Sequence, residues 1–221
     1  MQALVYWLSD SMKTTLYMIR HGQSRANLEG CFLGQGDWDL TELGHAQAEC
    51  AASYLKGLRC DAIYASDLCR AFHTAQHTAD AVGLPVVAER DLREIDAGDW
   101  EFMPFEEIDA VYPTAYKRWR ENIDRAQCVN GESVMHLQER VVAMLRRIAR
   151  QHAGQTVLLF SHATPIRVAA AHCLGKAVKD VPWATNASAT KFEYEDGELT
   201  LADYSYDAYM GELVTNLPAN V

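Results

Sequence analysis

Two histidines stand where chemistry is easiest to place. Thr14 to Ile19 reads as a buried strand and runs straight into Arg20-His21-Gly22-Gln23-Ser24. Thr156 to Phe160, strongly apolar, runs into Ser161-His162-Ala163-Thr164-Pro165. A third short strand, Asp61 to Ala65, leads into Ser66-Asp67-Leu68-Cys69-Arg70 and sets Arg70 in the first turn of a helix. A cation is unfavourable there by the helix dipole alone, and makes sense where an anion shares the exposed helix N–H groups with it. Taken singly, a histidine is a structural side chain and an arginine at a helix start a solvated one. Jointly, at three strand ends, they outline a site for an anion.

The elements that would position them alternate between strand and helix. Thr41 to Lys56 is predicted helical, capped by Thr41, with Leu43, Ala46, Cys50 and Tyr54 on its buried face. Asp67 to Val82 is predicted helical with Ser66 as N-cap and Gly83 as stop. Glu106 to Asn122 reads as helical with a break before Pro113. Ser133 to His152 reads as the longest helix, burying Val134, Leu137, Val141, Leu145 and Ile148, and Pro165 to Leu174 as another. Thr190 to Tyr194 and Glu198 to Asp203 form a hairpin around Asp196-Gly197. Strands separated by helices give an α/β fold, a mostly parallel sheet covered on both faces. In such sheets ligands bind beyond the carboxyl ends of the strands, where the two histidines fall.

Composition narrows the function classes. The 221 residues carry 20 basic and 30 acidic side chains, a net charge of −10. So acidic a chain does not suit nucleic-acid binding, although a local arginine cluster can still hold one small phosphate. No run of about 18 apolar residues is present, which predicts no transmembrane helix. Met1 to Trp7 is apolar but short, without a basic flank, and does not read as a signal peptide. None of the six cysteines forms C-x-x-C or zinc spacing; they read as reduced thiols of a cytoplasmic protein. Asn186-Ala187-Ser188 matches a glycosylation sequon, a chance match in such a protein.

Leu16-Tyr17-Met18-Ile19-Arg20-His21-Gly22-Gln23-Ser24-Arg25-Ala26-Asn27 resembles the R-H-G-x-S-x-x-N signature of the histidine phosphatase superfamily, in its phosphoglycerate mutase-like branch. The resemblance continues through Leu40-Thr41-Glu42-Leu43-Gly44-His45-Ala46-Gln47-Ala48, Tyr64-Ala65-Ser66-Asp67-Leu68-Cys69-Arg70-Ala71, Leu92 to Glu101, Asn130-Gly131-Glu132-Ser133 and Ser161 to Arg167. Six blocks thus occur in the family's order. The resemblance implies a single domain over residues 1–221, a three-layer α/β/α sandwich with a core of about 14–204. It also implies a substrate-selecting insertion at 100–132, with Lys117, Arg118, Trp119 and Arg120 in it, and a C-terminal tail at 205–221.

What it implies for activity is a phosphomonoesterase acting on a small phosphorylated metabolite, without metal or cofactor. His21 would be the nucleophile that becomes phosphohistidine, Glu94 the general acid and base, and Arg20, Asn27, Arg70 and His162 the phosphate pocket, with His162 also catalytic. Glu94 in that role needs a raised pKa. Ser66 is read as a helix cap rather than a nucleophile, and Gly22 and Ser24 as shaping the loop. A mutase primed by 2,3-bisphosphoglycerate uses the same phosphohistidine, and a binding protein with lost turnover is the reading from another class. The chain departs from the family's pattern at Phe102, where glycine is usual and a large side chain would reshape the pocket. It departs also at Ala163, and at its ending, where Tyr204, Tyr206, Tyr209 and Met210 either cap the site or pack on the surface. A homodimer through the hairpin edge is open, and nothing forces it.

Overall fold

The computed structural model describes residues 12–215; Met1 to Trp7 and the end of the tail lie outside them. In chain order the elements are β1 (Thr14–Arg20), α1 (Arg25–Glu29), β2 (Cys31–Phe32), α2 (Glu42–Leu55), β3 (Ala62–Ala65), α3 (Cys69–Val82), β4 (Val86–Ala88), β5 (Met103–Pro104), α4 (Phe105–Val111), α5 (Pro113–Glu121), α6 (Val134–Gln151), β6 (Thr156–Ser161), α7 (Ala163–Leu174), β7 (Ala189–Glu195) and β8 (Glu198–Tyr206). Six strands form one sheet in the order β4-β3-β6-β1-β7-β8. The first four run parallel, and β7 and β8 are antiparallel additions. β7 and β8 join through Asp196 and Gly197, both with positive φ (52° and 89°), the mirror-image turn that matches strand twist.

Alternation along the strands builds the three layers. Val157 and Leu159 of β6, with Leu16 and Met18 of β1, pack with α6 and α7. Leu158, Phe160 and Ile19 face the other way, against Ala51 and Leu55 of α2 and Ala75 and Ala79 of α3. The 18-residue α6 is capped by Ser133 and buries all five apolar positions its periodicity marks. Pro113 opens α5 after α4 ends at Val111, the expected break.

Several local expectations are corrected. The buried face of α2 is Gly44, Gln47, Ala48, Ala51, Ala52 and Leu55, one residue round from the row Leu43, Ala46, Cys50 and Tyr54. Small residues face the sheet there because the helix lies close to it, and Gln47 is buried because its amide is fully bonded. Ser66 does not cap α3, which begins at Cys69 after Leu68. α7 begins at Ala163, two residues before Pro165, a first-turn position that loses no helical hydrogen bond. Strands β2, β4 and β5 were not foreseen; β2 and β5 pair as a separate two-stranded sheet. The described part of the C-terminal segment does not cap the strand ends: after β8 a 3-10 stretch, Ala208–Leu213, packs on α2 with Tyr209 stacked on Tyr54 at 4.5 Å and Met210 buried. The sequon is closed off, since Asn186 and Ser188 are both buried.

Candidate active site

Parallel pairing sets Arg20 opposite Ser161, so the next residues of each strand, His21 and His162, leave the sheet side by side. Their rings meet edge-on, with centroids 5.1 Å apart. Nδ1 of His21 lies 2.6 Å from the Gly22 carbonyl. That bond holds the hydrogen on Nδ1 and leaves the Nε2 lone pair free. Burial first, then the charges of Arg70 and Arg20, push the His21 pKa well below the ordinary 6.5, so the ring is neutral. His162 is neutral for the same leading reason. Its Nε2 is 2.9 Å from the Ser66 hydroxyl, while Nδ1 is buried without a partner.

Both arginines are buried. Arg70 donates to the carbonyls of Gly34 and Gly36, each at 2.8 Å. Arg20 donates to Ala184 O at 2.6 Å, and its Nε has no partner. Desolvation lowers both guanidinium pKa values to about 10, which leaves them charged at neutral pH. Glu94 is the leading charge that offsets their burial, and an anion entering the pocket would meet two desolvated cations.

Glu94 enters from the loop after β4. Its carboxylate accepts from the Ile95 amide at 2.8 Å and the Thr164 amide, in the first turn of α7, at 3.3 Å. Burial raises its pKa above the ordinary 4.5, and those bonds and Arg70 oppose the rise only in part. Asn27 serves two structures. Its Oδ1 accepts from the Ser24 amide in a capping box that starts α1, and from Nδ2 of Asn186.

One pocket is lined by Arg20, His21, Asn27, Arg70 and Glu94 together, with Ser24, Ala163 and Thr164 beside them. His162 is not part of its wall; it lies fully buried behind His21. Phe102 does not line it either: 45% exposed and with φ of +66°, its ring packs on Trp38. Of the four residues singled out in α5, Lys117, Arg118 and Arg120 are exposed, and only Trp119 is buried and reaches the pocket. No described residue of 205–215 lines it.

Supports missed in the sequence hold the site in place. Arg140 of α6 grips both Glu132 oxygens (3.1 and 2.8 Å) and donates to the backbone carbonyls of Asp91, Arg93 and Glu94. It thereby fixes the loop that carries Glu94. Thr74 accepts the Gly22 amide at 3.1 Å, and Gln47 accepts the Gln23 amide at 2.7 Å. Gly22 and Gly44 touch so closely that a Cβ on Gly22 would fall 2.3 Å from Gly44 O. Of these the glycines, Gln47 and Glu132, inside recognisable blocks, carried a signal; Arg140 and Thr74 sit at ordinary helical positions.

Comparison with known proteins finds relatives over most of the chain. The family model of the histidine phosphatase superfamily (branch 1) matches residues 16–207. Phosphoserine phosphatase 1 of Hydrogenobacter thermophilus is 32% identical over 200 residues, covering 89% of this chain and 94% of that protein. Glucosyl-3-phosphoglycerate phosphatase of Mycolicibacterium vanbaalenii is 34% identical, with 76% and 77% covered. Among solved structures, Bacillus stearothermophilus YhfR superposes with a TM-score of 0.85 at 28% identity, covering 89% of this chain and 98% of that one.

Proposed function

The chain belongs to branch 1 of the histidine phosphatase superfamily, and from that premise we propose that it hydrolyses a small phosphomonoester through a phosphohistidine formed on His21. The observation that carries the reading is a neutral His21, its Nδ1 hydrogen held by Gly22 O, in one pocket with two buried guanidinium groups and Glu94.

In the first step Nε2 of His21 attacks phosphorus, an N–P bond forms, and the P–O bond to the alcohol breaks in line. The departing oxygen takes the Glu94 proton, which the raised pKa keeps available. In the second step Glu94 removes a proton from water, the water oxygen bonds phosphorus, and the N–P bond breaks to return His21 and release phosphate. Arg20 and Arg70 neutralise the equatorial oxygens of both transition states, and Asn27 offers its amide nitrogen at the same wall. His162, edge-on to His21, holds that ring against rotation. In this scheme two guanidinium groups supply the positive charge, and no cofactor takes part.

The two relatives named above are called after different phosphorylated compounds. That supports a shared reaction and a small phosphorylated metabolite as substrate. The six cysteines, all unpaired, support a reducing compartment, the cytoplasm. Among the described residues no helix is long and apolar enough to cross a membrane.

The test is phosphate release from p-nitrophenyl phosphate in the presence of EDTA, by wild type and by His21→Ala. Release by wild type, an acid-labile phosphoenzyme after quenching, and loss of both in the variant are expected. Equal release by His21→Ala would overturn the assignment. So would turnover that appears only as 3-phosphoglycerate isomerisation with a bisphosphoglycerate primer.

A further inference from the structure

The pocket combines two kinds of lining. Besides the groups assigned to the phosphate, it is lined by Phe32, Leu33, Phe105, Trp119 and Trp183, with Ala26. Among the described lining residues the only cations are Arg20 and Arg70, and both are assigned to the phosphate. Neighbouring cations are turned to other partners. Arg120 pairs with Asp109 at 3.7 Å. Arg167 is held by the carbonyls of Val181 and Lys179 and lies flat on the Trp183 ring, 4.0 Å from its centroid. The aromatic wall is also rigid. Phe32 meets Trp119, Trp100 and Phe105 edge-on at 5.1, 5.5 and 6.2 Å, and Trp119 meets Trp100 in the same manner at 6.1 Å.

We propose that this wall is a leaving-group subsite for an uncharged alcohol bearing a flat apolar ring, and that Phe105, Trp119 and Trp183 select it. The proposal rests on the hydrolase reading above and names its substrate class. A carboxylate placed against this wall loses water and gains no cation there, and that loss rejects it. A ring instead buries apolar area against edges and faces already fixed in position, so little ordering is lost on binding. The discrimination is therefore one of transfer free energy rather than of hydrogen bonds.

Binding separates this proposal from the reaction. His21→Ala, which cannot form the phosphoenzyme, is titrated calorimetrically with benzyl phosphate, ethyl phosphate and 3-phosphoglycerate, and wild type is assayed on the same three. All three release an alkoxide, so leaving-group reactivity does not dominate the order. Benzyl phosphate is expected to bind on the order of 10²-fold more tightly than ethyl phosphate, from the apolar area of the ring. 3-Phosphoglycerate should bind no better than ethyl phosphate. Adding Phe105→Ala, a half-buried position, or Trp119→Ala should shrink the benzyl-to-ethyl ratio several-fold. Equal binding of benzyl and ethyl phosphate, or tighter binding of 3-phosphoglycerate, would overturn the subsite. If the binding order holds and wild type hydrolyses none of the three, the subsite stands and the hydrolase reading falls.

Discussion

The hydroxyl of Ser66 lies 2.9 Å from Nε2 of His162, and the same oxygen accepts the Leu68 amide at 3.3 Å. The Leu68 amide leaves the hydroxyl its hydrogen and a second lone pair for the imidazole. We assign it the donor role, which makes Nε2 of His162 the acceptor and puts the ring hydrogen on Nδ1. A serine that follows a strand is thereby tied to the tautomer of a histidine beyond the neighbouring strand.

Ser66→Ala should leave a buried, unsatisfied imidazole nitrogen. A loss of about 1–3 kcal/mol in stability is expected from denaturant unfolding, with kcat falling on the order of tenfold. Nitrogen NMR of His162 distinguishes the cause. A change in its tautomer in the variant supports the assignment, and an unchanged tautomer refutes it.

The pH dependence follows from two opposite displacements. In the proposed reaction His21 attacks as a neutral ring, and its pKa lies below 6.5, so the acid limb of kcat/KM should fall below that pH. The same scheme needs Glu94 protonated for the first step, and its pKa is raised above 4.5, so activity should decline as pH rises through the Glu94 value. Glu94→Gln should remove that alkaline decline. It should also cost 10²–10⁴ in kcat on ethyl phosphate, and far less on p-nitrophenyl phosphate, whose phenolate leaves without a proton. Equal losses on both would place Glu94 outside proton transfer.

Stability should respond to acid through the same histidines. His21 and His162 are buried and neutral in the fold, and charge readily once unfolded. The unfolded chain then binds more protons below pH 6.5, so stability is present above that value and is lost as pH falls beneath it. Urea unfolding should show a loss of roughly 1 kcal/mol per histidine between pH 7.5 and 5.5. His162→Gln should flatten that slope; an unchanged slope would mean that His162 is already charged in the fold.

Arg140 and Glu132 give a coupling prediction. Arg140→Ala takes the guanidinium from the Glu132 carboxylate, whose side chain is 7% exposed and keeps the Asp96 amide at 3.4 Å and His136 at 3.5 Å, and frees the loop that carries Glu94. A loss of about 3–5 kcal/mol is expected, while Glu132→Gln combined with Arg140→Leu should cost less than the sum of the two. Additive losses in a double-mutant cycle would show that the pair does not act as one unit.

Gly22 and Gly44 need their missing side chains. A methyl at either position runs into the facing backbone, 2.3 Å from Gly44 O in α2 or 2.1 Å from Gln23 O in the loop after β1. Gly22→Ala should destabilise by about 1–3 kcal/mol and displace His21. A kcat within twofold of wild type would show that the loop can yield.

The longer strands and helices, the strand ends bearing His21 and His162, and the buried row of α6 were legible, because each depends on a period or on punctuation, whereas the short α1, β2, β4 and β5 were not. What depends on proximity was not. The face of α2 was misjudged by one residue because close approach to Gly22 and to the sheet favours Gly44 and alanines over the larger Leu43 and Tyr54. Ser66 fits the rule for helix caps, yet its hydroxyl is engaged by His162 across the sheet. Arg140 has the appearance of any solvent-facing cation until the fold brings Glu132 and the Glu94 loop to it. Trp119 stood among three basic neighbours, and only the turn of α5 separates it from them.

The register that sets Arg20 beside Ser161 joins the first strand of the described chain to one that arrives only after residue 155. Neither a nascent chain halted at Gln155 nor a fragment starting at Thr156 holds both histidines. Divided there, the protein becomes a two-piece reporter: phosphate would be released only when the halves find each other, and the signal would count reassembled sheets.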